Sequence, residues 1–446
     1  MQHRITRRQL LGGLGGTALF ARLGRLNALA QSGGDYKALV CVFLVGGNDG
    51  HNTIVPLTGA QSTNYKAIRG NLALPDNNGP VQQVTTPGGE AYGLNNGLSA
   101  IAPLWAQGRL GVIANCGMLA RSTNRTLYLT NQVLLPTNLF SHSDQIAQMQ
   151  SGVPSTGGGT GWGGRTMDSV ASANGTSTFP SSLSINGPSL FCTGSVVQSA
   201  SLLPDFTMNM SGMSLWPQSA ADARKNGVQQ LMQLDSGLAL VQAANKVRRD
   251  AIDLAAMLNN SSASGLLTPF PGTSLGAQLR QVAKIIKLRA STGMSRQVFF
   301  CSIGGFDTHG AQAWQHWDLL RQVSEAMSAF YNATAELGVA DKVTTFTLSD
   351  FGRTLQPSGS GSDHGWGNHQ LILGGAVNGG RLFGTFPTMA VNAADDSGSR
   401  GAMIPTTSLD QVGATLATWF GVPSAQLGTV FPNLQFFPVQ NLGFFS

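Results

Sequence analysis

The sequence predicts an α/β protein, and three apolar runs carry that prediction. Residues 38–45 (ALVCVFLV), 297–302 (QVFFCS) and 343–348 (VTTFTL) are short, continuous and rich in β-branched and aromatic side chains. Runs of this kind fit strands buried on both faces, as in a parallel sheet. Each is followed by a polar turn containing glycine: GGNDG at 46–50, GGFDTHG at 304–310 and SDFGR at 349–353. Helical patterns separate the runs. Strand, polar loop and helix in succession is the doubly wound pattern, whose ligands sit beyond the carboxyl ends of the strands.

Along the chain, residues 1–30 come first and read as a targeting segment. Arg4, Arg7 and Arg8 precede an apolar, glycine-rich stretch at 10–20 (LLGGLGGTALF), and Ala28-Leu29-Ala30 supplies the small residues of a cleavage site. A short apolar core with an A-x-A end is a signal peptide rather than a membrane span. The run ITRRQLLGG resembles the twin-arginine signal, which implies a body folded before it crosses the membrane. The expected partners are the twin-arginine export machinery and a signal peptidase, and the expected location is periplasmic or extracellular. The five arginines of this leader have no acidic counterpart; without them the chain carries 22 basic against 21 acidic residues. The excess of basic charge therefore predicts no nucleic-acid surface. The one other basic group, Lys246, Arg248 and Arg249, falls in a helical pattern and reads as a solvated face.

After the first strand, residues 99–107 read as a short helix, 109–115 as a strand and 141–150 as a helix capped by Ser141 or Ser143. A Gly/Ser/Thr loop follows at 151–164, then polar sequence with a short strand at 184–185. Helical patterns occupy 221–258, 275–289 and 313–337. Residues 31–446 are expected to form a single domain, with 166–292 as a mostly helical inserted cap. Cys41, Cys116, Cys192 and Cys301 show no CxxC pairing, and three lie in apolar runs, so they read as buried thiols. No second apolar run is long enough to span a membrane. Walker A and a G-x-G-x-x-G following a strand are missing, which leaves nucleotide readings without their motifs.

The chemistry-bearing residues gather in the turns. Asp49, Asp307 and Asp350 each follow an apolar strand, while His51, His142, His309, His364 and His369 sit in Gly- or Asp-rich segments, with Asp363 beside His364. Mixed oxygen and nitrogen donors suit Zn²⁺, Mn²⁺ or Fe²⁺ better than Ca²⁺. In extended backbone, Asp307 and His309 point to one side, by the two-residue strand period. Asp and Gly also dominate ordinary turns, so the residues alone leave two readings: a metal crevice, or a solvated loop surface with satisfied histidines.

GGNDG (46–50), SHSDQIAQMQSG (141–152), GWGGR (161–165), GGFDTHG (304–310), SDFGRT (349–354) and DHGWGNHQLILGG (363–375) occur in that order. Together they resemble the bacterial family known as domain of unknown function 1501, over nearly all of the chain beyond the leader. That family is similar to the alkaline phosphatase and sulfatase superfamily. The resemblance implies a three-layer αβα sandwich with a large mixed central sheet. It also implies one or two divalent transition metals held by Asp49, Asp307, His309, Asp350 and His364. Ser141 is the implied nucleophile and Arg353 the clamp on the transferred group's oxygens. His51, His142, Asp363 and His369 would support the ligands or touch substrate. The activity implied is hydrolysis of a phosphate or sulfate ester, on a small anionic ester or a polymer. The alternative is a non-catalytic exported protein that uses the same frame to bind a polymer, a surface component or a partner.

Overall fold

The computed structural model describes residues 36–445 apart from 156–157, 205–211, 235–236 and 260–264. The expected leader, residues 1–30, lies outside the described residues. The strands in chain order are β1 (Lys37–Leu44), β2 (Ile54–Pro56), β3 (Gln82–Thr85), β4 (Ala91–Leu94), β5 (Leu110–Gly117), β6 (Ser182–Ile185), β7 (Ser199–Leu202), β8 (Arg296–Ile303), β9 (Val343–Ser349), β10 (Asn368–Gly374), β11 (Leu382–Phe383) and β12 (Thr407–Ser408). The main helices are α1 (Gly59–Arg69), α2 (His142–Ser151), α3 (Trp162–Val170), α4 (Gln218–Gln233), α5 (Ala239–Asn259), α6 (Ser274–Lys287), α7 (Gln312–Glu336) and α8 (Leu409–Phe420).

Among the described residues the central sheet has nine strands in the order β11-β5-β10-β9-β1-β8-β6-β7, with β12 paired to β5. β1 runs parallel to both β8 and β9, and its last residue, Leu44, lies level with Ile303 and Ser349. β10 is antiparallel to both β5 and β9, whereas the other pairings of this sheet are parallel. The sheet is therefore mixed. Because β10 is reversed, its beginning lies at the same edge as the ends of β1, β8 and β9. A smaller antiparallel sheet, β2-β4-β3, stands apart.

The near-continuous apolar sequence of β1 is explained by two cores. Ala38, Val40, Val42 and Leu44 pack with Leu279, Val282 and Ile286 of α6 and with Leu320, Val323 and Met327 of α7. The alternate residues Leu39, Cys41 and Phe43 pack with Trp162 and Met167 of α3 and with Val412, Leu416 and Phe420 of α8. A strand alternates its side chains between faces, so helices on both faces make the αβα layering. The four cysteines are buried free thiols.

Two regions differ from expectation. The helical pattern at 221–258 is divided into α4 and α5; α4 stops at Leu234, which adopts extended backbone, and Gly237 has φ +69°. The stretch 166–292, expected as an inserted cap, contains β6 and β7, which pair into the central sheet through β8. That stretch is thus not wholly apart from the sheet. No helix among the described residues is long and apolar enough to cross a membrane.

Candidate metal centre

The turns after β1, β8 and β9 meet at one sheet edge. Gly46 makes the meeting possible. Its φ is +117°, and a Cβ there would collide with the backbone nitrogen of Asp307. Its amide donates to both carboxylate oxygens of Asp350, at 3.1 and 3.2 Å. Glycine is the residue that takes this conformation and this approach without strain.

Three imidazoles and one carboxylate oxygen converge above these turns. Each ring has Nδ1 against an acceptor: Asp350 Oδ2 for His142 at 2.7 Å, Asp363 Oδ1 for His309 at 3.4 Å, and the Phe140 carbonyl for His364 at 2.8 Å. A neutral imidazole that donates from Nδ1 carries its lone pair on Nε2. Those Nε2 atoms surround Asp307 Oδ1, at 3.5 Å from His142, 3.0 Å from His309 and 3.3 Å from His364. The Nε2 atoms of His309 and His364 are 3.0 Å apart, and His142 Nε2 is buried without a hydrogen-bond partner. Lone pairs aimed at one another and at a carboxylate repel unless a metal ion or a ring proton lies between them.

This donor set fits a metal ion. With bonds of about 2.0–2.1 Å, two ligand atoms on one tetrahedral ion lie about 3.3 Å apart, close to the spacings around Asp307 Oδ1. Among the described residues, one group of three potential ligands has all its donor atoms within 4.8 Å of one another: His142, Asp307 and His364. His309 stands at its rim. The Nδ1 contacts are those that orient metal-bound histidines in general, with a carboxylate or carbonyl fixing the tautomer. Phe351 packs against two of the rings, its centroid 4.8 Å from His142 and 4.7 Å from His364.

Burial and hydrogen bonding set the protonation of these groups. Burial lowers the pKa of His364, which favours the neutral ring. Burial works to raise the pKa of Asp307, but the hydrogen bond and charge of Arg353, with His309 and His142, bring it below the ordinary carboxylate value. Burial raises the pKa of Asp350, against the opposing hydrogen bond from His142.

Several expected roles are redistributed. Asp49, expected as a ligand, is fully buried and forms an ion pair with Arg69, and the same oxygen accepts from Gln312 Nε2. Asp350, also expected as a ligand, lies with Oδ2 2.7 Å from His142 Nδ1, behind that ring as seen from Asp307. Arg353, expected to clamp substrate oxygens, is fully buried. It donates to the carbonyls of Gly47 (3.0 Å), Ser362 (2.7 Å), Gly46 (2.8 Å) and Phe306 (3.1 Å), and it pairs with Asp307 Oδ1. Its fork holds three loops together and aims Asp307 instead of facing solvent.

Ser141 precedes α2 but does not cap it with its side chain. Its hydroxyl donates to Asp144 Oδ2 at 2.6 Å and lies 3.2 Å from Ser143 Oγ. Asp363 pairs with Arg400 as well as approaching His309. His369 is buried, stacks on Phe386 at 4.7 Å and accepts from the Asn115 amide at 3.1 Å; His51 lies edge-on to it at 6.4 Å. Neither belongs to the cluster. Sequence reasoning underrated His142, expected only to support the ligands, and missed Arg69 and Gln312. The signal for His142 was present in the order Ser141-His142-Ser143-Asp144. Nothing in the sequence pairs Arg69 with Asp49.

A family model described as "Protein of unknown function (DUF1501)" matches residues 122–420. No curated protein matches the chain. Among solved structures the chain is similar to the PsFucS1 sulfatase from Pseudoalteromonas sp., at 10% identity and TM-score 0.37 over 90% of this chain and 71% of that one. It is similar to the lipoteichoic acid synthase LtaP from Listeria monocytogenes, at 7% identity and TM-score 0.33 over 89% and 76%. It is also similar to the phosphonate monoester hydrolase of Agrobacterium radiobacter, at 10% identity and TM-score 0.30 over 86% and 74%. At such scores the likeness carries no argument for a common reaction.

Proposed function

The chain belongs to the DUF1501 family, and we propose that it is an exported, metal-dependent hydrolase of phosphate or sulfate esters. The observation that carries this reading is the convergence of three imidazole Nε2 atoms on Asp307 Oδ1, with Nδ1 of His142 and His364 held by acceptors. The ordered motifs quoted above support it, and the arginine-rich leader supports export to the periplasm or beyond. In this reading His142, Asp307 and His364 hold a divalent ion, with His309 beside them. Such an ion, when bound, polarises an ester oxygen and lowers the pKa of a coordinated water.

The chain's own residues do the rest. Asp350 fixes the tautomer of His142, and Arg353 fixes the oxygen of Asp307. Ser141 is the candidate nucleophile, and Asp144, which accepts its hydrogen bond, takes its proton. The substrate is a small anionic ester or a polymer bearing such esters. Ser141→Ala and Asp144→Asn are each expected to lower kcat by about 100-fold or more with metal content unchanged. Full activity in Ser141→Ala would remove the serine from the mechanism.

One observation favours the non-catalytic alternative: Arg353, the residue expected to grip the transferred group, is committed to carbonyls and Asp307. Protein loaded with Zn²⁺ or Mn²⁺ and assayed on aryl phosphate and aryl sulfate esters separates the two. Turnover that disappears with chelator and in Asp307→Asn supports the hydrolase. A bound metal with no turnover on any ester would favour the binding protein.

A further inference from the structure

We infer that this centre is mononuclear, because the Arg69 guanidinium occupies the place where Asp49 would face a second metal ion. The inference rests on the metal-dependent reading above and concerns its stoichiometry. Asp49 follows β1 at the same sheet edge as Asp307 and Asp350, as a ligand for a second ion would. It is fully buried, so its charge needs a partner. That partner is on the chain: Arg69, also fully buried, pairs with Asp49 Oδ2. Arg69 is held in turn by Asn52 Oδ1 at 3.0 Å and by the carbonyls of Thr354 at 2.8 Å and Leu355 at 3.0 Å. Gln312 adds an N–H donor to the same carboxylate oxygen. Asp49 Oδ1 is left buried without a hydrogen bond, but among the described residues Asp49 belongs to no group of three potential ligands, whereas Asp307, which also meets a guanidinium, is grouped with His142 and His364.

The wider charge pattern agrees. Around the centre, Asp49, Asp307 and Asp363 are paired with Arg69, Arg353 and Arg400 respectively. Asp350 is matched by His142 and the Gly46 amide, and Asp144 by the Ser141 hydroxyl. With neutral histidines the centre carries about two net negative charges, which one divalent ion neutralises. A second divalent ion would leave about two positive charges.

Metal analysis of the full chain, equilibrated with excess Zn²⁺ and then freed of unbound ion by gel filtration, tests this. One equivalent is expected. It should be lost in His364→Ala, with affinity falling about 100-fold, and kept in the double variant Asp49→Asn with Arg69→Gln, which removes both buried charges together. The double variant is used because Arg69→Gln alone leaves a buried unpaired carboxylate and threatens folding. Two equivalents in the native protein would overturn the mononuclear inference and leave the metal-dependent reading standing. So would one equivalent that vanishes in a double variant whose circular dichroism and Tm show it folded. No bound metal would overturn both.

Discussion

At the scale of single residues, the site is governed by what stands behind each candidate ligand. His142 can offer a lone pair from Nε2 only while Nδ1 carries the proton, and Asp350 at 2.7 Å holds it there. Asp350→Asn keeps the shape and removes the charge, letting an amide N–H face Nδ1 and moving the ring proton to Nε2. Zn²⁺ affinity is expected to fall by about 10–100-fold, measured by competition with a chromophoric chelator. An unchanged affinity would mean that His142 is not a ligand. The pairing of residues into an ion-sized group was only partly legible in the sequence. Asp307 and His309 were legible as a pair and do meet, at 3.0 Å, but through consecutive tight turns, Thr308 N–H to Phe306 O and His309 N–H to Asp307 O, rather than through a strand. The inward pairing of Asp49 and Arg353 was not legible, because a carboxylate at a strand end and an arginine beside a crevice look the same in sequence whether they face solvent or a neighbouring loop.

At the scale of elements, the strand-end turns are the fragile parts. Gly46 combines positive φ with contact against the backbone of Asp307, whereas Gly59, at the start of α1 with φ +73°, has no atom within 4 Å of the place a Cβ would take. Both substitutions to alanine carry backbone strain, but only Gly46→Ala must also displace the β8 turn. Gly46→Ala is expected to lose about 2–4 kcal/mol of unfolding free energy and Gly59→Ala about 1 kcal/mol, by urea denaturation. Weaker Zn²⁺ binding should accompany the first and not the second. Equal costs would show that the turn has room to move. The longer strands were legible because burial on both faces demands unbroken apolar sequence: β1, β8 and β9 lie within a residue or two of their expected bounds. β10 was seen only as a motif, since the polar residues Asn368, His369 and Gln370 hide a buried strand; Thr347 Oγ1 donates to Gln370 Oε1 at 3.0 Å, while Gln370 Nε2 is buried without a partner.

At the scale of the whole molecule, buried titratable groups link folding to pH. Burial pushes His51 down to about 4, and His316 and His369 down to about 3. Below pH 6.5 the unfolded chain protonates all three while the folded chain keeps them neutral, so stability present above 6.5 is lost as pH falls toward 4. Burial raises Asp410 to about 7. Its contribution has the opposite sign: present at low pH, it is lost as pH rises through 7. Between pH 6 and 4.5 the net effect is that of roughly two protons, a fall of up to about 2.7 kcal/mol per pH unit. His316→Gln should flatten that slope by one proton's worth in urea melts. A flat profile in the native protein would show that these histidines titrate normally.

The sequence by itself determined the α/β class, the buried strands and the set of turns that bear Asp and His, because strand burial and turn chemistry are local and leave a local pattern. It also determined the nearly balanced charge of residues 31–446. The tertiary structure alone decided which turns meet. The reversal of β10 brings His364 to the edge where β1, β8 and β9 end, and α2 delivers His142 from another part of the chain. It also decided that Asp49 meets Arg69 and that Arg353 turns inward. Buried charges select partners by proximity across the fold, and proximity between residues 20 positions apart, as Asp49 and Arg69, or 46 apart, as Asp307 and Arg353, has no signature in the order of the amino acids.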